Sequence, residues 1–403
     1  AGTTMVLKVK RPATGKTLTL KVQRRAIQMP YLTYYGLQPD SIGYISYNQF
    51  LENSAKDVRR AFIEMRSKGM RSLVLDLRSN GGGSVQEALQ ILNMFVPKGK
   101  QLLEMRGKVK SSNKTFYTTM EPIDTVMPIV VLVNEETASA SEITSGALQD
   151  LDRAVVMGTR TYGKGLVQVP NVPLPYNGKL KLTTAKYYIP SGRCIQARKY
   201  KHTNKGYASE HVADSLTHEF RTAAGRIVRD GGGIKPDIEV LPDSMPNIAY
   251  YLQFADTTDL LLNYEIEYMA KHRTVAAPSE FELSDYEEFC AYVVKSGFEY
   301  DQVSEKYLKD LEKLARFEGY YEDAKPEFEA LKAKLKHDIA KDLAYPYNKE
   351  QLKQIIANDI MSAYYFDRGA LENSLRYDKQ FAKAVELLKN PEEYRKTLAP
   401  TKE

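Results

Sequence analysis

Two apolar runs each pass through a tight connection into a helical pattern: Leu73-Val74-Leu75-Asp76-Leu77 and Met127-Pro128-Ile129-Val130-Val131-Leu132-Val133. Val85, Ala88, Leu89 and Leu92 follow the first at helical spacing, and Ile143, Ala147 and Leu148 follow the second. The same alternation runs through residues 30 to 240, with a strand pattern at Ile42-Gly43-Tyr44-Ile45-Ser46-Tyr47, a helical face of Val58, Ala61, Phe62 and Met65, and a further strand at 154–158. Strands alternating with helices imply βαβ units and a largely parallel sheet, so the fold class is α/β. Leu166 to Pro173 and Lys179 to Tyr188, joined through Pro175-Tyr176-Asn177-Gly178, are expected to form a hairpin.

The pattern changes on either side of that region. After Asp243 helical periodicity is nearly continuous, as in Leu260, Leu261 and Tyr264 or Phe328, Leu331 and Leu335, with breaks at Pro278, Pro346 and Pro391. This predicts an all-α C-terminal domain over 244–403. Oligomerisation or adaptor binding, substrate tethering and covering of an active site are the roles open to it. At the other end, residues 5–11 and 18–22 alternate around a short turn and predict a hairpin.

A chain of 403 residues, 43% hydrophobic and 27% charged, has the composition of a soluble globular protein of two or three domains. No apolar run approaches the roughly 20 residues that span a bilayer. The net charge of +6 is spread among acids, which argues against specific nucleic-acid binding. The basic stretch Arg106, Lys108, Lys110 alternates with Met105, Gly107 and Val109 and is expected to be a solvated hairpin. Cys194 and Cys290 lie far apart, and no disulfide is indicated. His202, His211, His218, His272 and His337 show no metal-ligand spacing, so neither metal nor cofactor is predicted.

The chemistry concentrates in three segments. Ser139, in Thr137-Ala138-Ser139-Ala140-Ser141-Glu142, lies between a strand and a helix, where unpaired amides and the helix dipole favour an anion. Ser139 and Ser141 are equally N-cap candidates, with Glu142 a first-turn acid. A serine needs a base to take its proton, and Lys164, in Gly163-Lys164-Gly165-Leu166-Val167-Gln168, is a candidate. A lysine base must be neutral, so an amine of pKa about 10.4 has to lose roughly 4 kcal/mol of charge stabilisation through burial. Lys164 is otherwise a solvated surface lysine. Lys164 and Gln168, four residues apart on a strand, should face the same way, letting the Gln168 amide oxygen hold the amine. The third segment, Arg78-Ser79-Asn80-Gly81-Gly82-Gly83-Ser84, could bring backbone amides close to a reacting oxygen, or could be a plain strand-to-helix turn. It lacks the Gly-Lys-Ser/Thr ending of a phosphate loop. Asp76 and Arg78 are expected to pair or to brace the loop.

Leu-Asp-Leu-Arg-Ser-Asn-Gly-Gly-Gly, Ala-Ser-Ala-Ser-Glu-Ile and Gly-Lys-Gly-Leu-Val-Gln, in this order, resemble the C-terminal processing (tail-specific) peptidases, the S41 serine proteases. Tyr187 to Arg193 and Gly231 to Ile238 resemble further family segments, and the likeness covers roughly residues 1 to 240. Proline often stands in the family where this chain has Gly81. The resemblance implies a crotonase/ClpP-like βαβ catalytic core over 29–243, with residues 1–28 the final portion of a PDZ-like domain. It implies Ser139 as nucleophile, Lys164 as general base, Gln168 as the residue orienting it, and an oxyanion hole from the amides of Ala140 and of Gly82 or Gly83. The implied activity is a serine endopeptidase that cleaves polypeptides with exposed, apolar C-termini near their ends through an acyl-enzyme, in a periplasmic or cell-envelope setting. Two alternatives remain. A crotonase-like acyl-CoA enzyme would need no Ser139/Lys164 pair, and a silent peptide-binding scaffold would lose one of Ser139, Lys164 and Gln168, all of which are present.

Overall fold

The computed structural model describes residues 2–11, 14–27, 30–203, 206–256, 258–336 and 338–400. They fall into two units, one of residues 28–242 and 378–403, the other of residues 1–27 and 243–377. Among the described residues no helix is long and apolar enough to cross a membrane.

The first unit is built on a six-stranded sheet in the order Ile238–Glu239, Val155–Gly158, Ile129–Val133, Ser72–Asp76, Ile42–Tyr47, Leu32–Gln38. Neighbours are parallel except for Leu32–Gln38, an antiparallel edge. Every residue of Ser72–Asp76 and Ile129–Val133 is buried, the mark of a parallel sheet covered on both faces. On one face Leu73, Leu75, Ile129, Val131 and Val156 pack with the helices Ser54–Ser67, Val85–Phe95 and Ala140–Asp150. A second sheet, Leu166–Pro173, Lys179–Tyr188, Gln101–Arg106 and Lys114–Tyr117, is antiparallel throughout and contains the expected hairpin.

Covering the other face of the main sheet corrects one expected boundary. Tyr44, Val74, Val130 and Val155 are in register and point away from the first layer. The helix Lys379–Leu388 lies against these strands with Phe381, Ala384, Leu387 and Leu388 buried, and Phe381 meets Tyr44 edge to face at 5.3 Å. In the following helix, Pro391–Thr397, the Tyr394 hydroxyl accepts from Ile129 N at 3.0 Å and donates to Ile129 O at 2.9 Å. The all-α domain expected over 244–403 therefore ends at Tyr377. A sheet apolar on both faces needs two covers, each fully buried Val or Leu contributing about 2 kcal/mol, and residues 378–403 supply the second.

In the other unit, Leu260–Lys271, Tyr286–Lys295 and Pro346–Ser374 pack around Leu261, Tyr264, Phe289, Leu352, Ile356 and Ile360. Val303–Glu318 and Tyr321–Leu335 share a smaller cluster of Leu308, Ala315, Tyr321 and Phe328. Thr4–Lys10 and Thr17–Gln23 pair as an antiparallel hairpin whose residues are almost all exposed. It groups with the helical residues rather than forming a separate unit. Cys194 and Cys290 are free thiols in different units. His337, Ala13 and Gln28 lie outside the described residues.

Candidate active site

Three loops leave the C-terminal ends of adjacent parallel strands, the edge where open α/β sheets place their sites. They bring Ser79, Gly81, Gly82, Gly83, Ser139, Lys164, Gln168 and Tyr187 around one cavity of about 550 Å³.

Ser139 follows the strand Ile129–Val133 and takes the N-cap position of the helix Ala140–Asp150. Its backbone sits at φ 57°, ψ −114°, a conformation that a non-glycine residue adopts only when its surroundings enforce it. Glu142 is what enforces it here. This glutamate is fully buried, and Oε2 accepts the Ser139 N–H at 2.9 Å and the Lys164 N–H at 2.8 Å. Its Oε1 accepts the Gly163 N–H at 2.7 Å and the Thr161 hydroxyl at 2.6 Å. Thr161 Oγ1 in turn accepts the Ile234 N–H at 2.7 Å. Burial raises the Glu142 pKa above the usual carboxylate range, although each of these four hydrogen bonds pulls it down. All four neighbours are placed to donate to a carboxylate, so their geometry favours the anion against that burial. One side chain thus fixes the serine turn and the lysine loop to each other.

The glycine segment is packed directly on that turn. A Cβ at Gly82, whose φ is +93°, would lie 2.6 Å from Ala138 O and 2.8 Å from both Ala140 N and Ser139 Cβ, so only glycine fits. Asn80, completely buried, ties the two loops together. Its carbonyl accepts from Ala138 N at 3.0 Å and from the Ser141 hydroxyl at 2.9 Å, and its Oδ1 accepts the Gly82 N–H at 2.9 Å. Of the three amides expected at an oxyanion hole, Gly82 is therefore already engaged. Those of Ala140 and Gly83 have no acceptor among the described residues.

Leu166 and Gln168 line the cavity from alternate positions of the strand Leu166–Pro173, and Lys164 lines it from the loop before that strand rather than from the strand face its spacing predicts. The lysine side chain is half-buried, and among the described residues no hydrogen bond joins its Nζ to Ser139 or Gln168. Tyr187 lines the same cavity as Ser139. Burial pushes the Tyr187 phenol up to about 12 and Ser139 works the other way, so the phenol is neutral at physiological pH.

Residues 41–205 match the sequence profile of peptidase family S41, and residues 248–388 match that described as "Probable PDZ-protease, C-terminal helical domain". Over residues 41–205 the chain is similar to peptidase family S41. A carboxy-terminal-processing protease of Bartonella bacilliformis is 39% identical over 200 residues, covering 49% of this chain and 45% of that protein. The carboxy-terminal processing protease CtpB of Bacillus subtilis is 31% identical over 199 residues, covering 49% and 41%. Among solved structures, the photosystem II D1 C-terminal processing protease is 26% identical, covering 61% of this chain and 57% of that one, with a TM-score of 0.41. The match spans less than half the length of both bacterial relatives.

Within this S41 segment, two site residues carry no role in the sequence reading. Glu142 reads there only as a first-turn acid, although its offset of three from Ser139 is the capping-box spacing that returns a carboxylate to the cap N–H. Tyr187 has no local signal beyond strand alternation. Its place beside Ser139 comes from the pairing of Lys179–Tyr188 with Leu166–Pro173.

Proposed function

We propose that the chain is a serine endopeptidase that cleaves polypeptides near their C-termini. The observation that carries the reading is the meeting of Ser139, Lys164, Gln168 and the glycine segment around one cavity. Ser139 Oγ attacks the scissile carbonyl carbon while Lys164 Nζ takes its proton, and the Ala140 and Gly83 amides face the oxyanion. The Lys164 ammonium returns the proton to the leaving amine, giving an acyl-enzyme. Water activated by Lys164 then hydrolyses the ester, with Gln168 orienting the amine. The resemblance to processing proteases supports polypeptides with exposed C-termini as substrates, residues 1–28 as PDZ-like, and an extracytoplasmic setting.

The test is digestion of an unfolded protein with an apolar C-terminus by the parent, Ser139→Ala and Lys164→Ala, read by mass spectrometry of the fragments. Cleavage by the parent alone is expected. Acyl-CoA hydrolysis that persists in Ser139→Ala, or peptide binding without turnover in the parent, would overturn the reading. Tyr187→Phe adds a test of the resting geometry. With the phenol hydroxyl removed from the cavity, Ser139 should react up to tenfold faster with a fluorophosphonate, whereas slower labelling would make Tyr187 part of the activation.

A further inference from the structure

The loop that carries Gly81, Gly82 and Gly83 begins at Arg78, and Arg78 is held from a part of the chain that no site motif includes. Its Nε donates to both oxygens of Asp76 at 3.0 Å, and its Nη2 reaches Asp76 Oδ2 at 2.5 Å. The rest of the guanidinium turns to the second helical layer. Nη2 pairs with Asp378 Oδ2 at 2.6 Å, and Nη1 donates to Gln380 Oε1 at 2.9 Å, some 300 positions downstream. All four groups are mostly or fully buried.

Each end of this clasp is anchored independently. Asp76 accepts the Tyr44 hydroxyl at 2.7 Å, and Asp378 Oδ1 caps its own helix by accepting from Gln380 N at 2.9 Å and Phe381 N at 3.0 Å. Gln380 Nε2 donates to Val240 O at 2.6 Å. Val240 lies just before the chain leaves the α/β unit at Pro242, and Asp378 is the first residue on its return. The departing and returning segments are therefore tied to one another at the guanidinium. Two residues beyond Arg78 stands Asn80, which accepts from Gly82 N and Ala138 N.

We infer that Asp378 and Gln380 are positioning residues of the active site. They act through Arg78 to fix the start of the glycine segment against the Ser139 turn. The inference rests on the peptidase reading for its kinetic consequence but not for its structural one. A planar guanidinium with five donors in a fixed fork transmits orientation as well as charge, so losing two of its acceptors frees the loop start to rotate about the remaining Asp76 contact. A displacement of about 1 Å at an oxyanion donor is enough to cost rate without costing substrate affinity.

Asp378→Asn with Gln380→Ala removes both acceptors, while asparagine still serves as a helix cap. In this double variant kcat should fall roughly tenfold with KM little changed. Amide hydrogen exchange in residues 79–83 should quicken while the strand Val155–Gly158 keeps its protection. Asp378→Asn alone, which keeps the Gln380 bonds to Arg78 and Val240, should show a smaller change in both readouts. Unchanged exchange in 79–83, or faster exchange through the whole α/β unit, would overturn the inference. Should the parent itself cleave nothing, the peptidase reading falls, and the exchange comparison still decides whether Asp378 and Gln380 hold the loop. If the double variant does not fold, Asp378→Asn alone carries the same comparison.

Discussion

Glu142 and Glu265 are both buried glutamates, one in each unit, and their surroundings are opposite. Glu142 meets three backbone N–H groups and a threonine hydroxyl, all donating. Glu265, on the helix Leu260–Lys271, faces another carboxyl, Asp359 of the helix Pro346–Ser374, and its Oε1 is buried without a partner. Burial, reinforced by Asp359, pushes the Glu265 pKa up to about 8, and Asp359 is itself raised by burial. Depth alone does not set the charge of a buried acid. The hydrogens aimed at it count too, and four donors favour an anion where a second carboxyl requires a shared proton.

The same substitution should therefore have opposite effects at the two positions. Glu142→Gln puts an amide NH2 among four donors and should destabilise the α/β unit by about 3 kcal/mol in denaturant titration, with loss of Ser139 reactivity. A stability within error of the parent would show that Glu142 is protonated and dispensable as an anion. Glu265→Gln, by contrast, removes an ionisable group from a site that disfavours charge. At pH 8.5 it should stabilise the helical unit by about 1 kcal/mol.

The pH dependence sharpens the contrast. A carboxyl whose pKa rises from 4.5 unfolded to about 8 folded keeps a proton that the unfolded chain has released. Across that interval the folded state binds more protons, so stability falls as pH rises and levels off above about 8. Thermal melts of the parent should show the helical unit gaining stability from pH 8 down to pH 5, and Glu265→Gln should flatten that slope. A parent curve already flat would mean that Glu265 and Asp359 do not share a proton. A smaller effect than at Glu142 is expected at Thr161→Val, which removes one donor from Glu142 and the acceptor of Ile234 N–H. It should cost about 1–2 kcal/mol, and Thr161→Ser should restore most of it.

Much of the α/β unit was legible because its signals are local. Apolar five-residue runs, the glycine segment and the helical faces at Val58 and Val85 all lie within a few residues of the structure they form. Those runs also held a clue to the missing layer. Residues 72–76 and 129–133 offer apolar side chains to both faces, while the helices between 54 and 150 cover only one. A second cover was implied, but periodicity cannot say which distant amphipathic helix provides it, and Lys379–Leu388 resembles any other helix of the C-terminal half.

The candidate site divides in the same way. The chain's own order of residues determined that a serine would stand at a strand-to-helix turn and that glycines would occupy the neighbouring turn, because each depends on backbone preferences within one segment. Tertiary structure alone decided that Tyr187 stands in the cavity of Ser139, that the Gly82 amide is spent on Asn80, that Glu142 joins the two loops, and that Arg78 is clasped from residue 378. Hydrogen-bond partners distant in sequence are chosen by which groups the packed sheet and its two helical layers leave buried together, and a buried donor or acceptor must find its partner there.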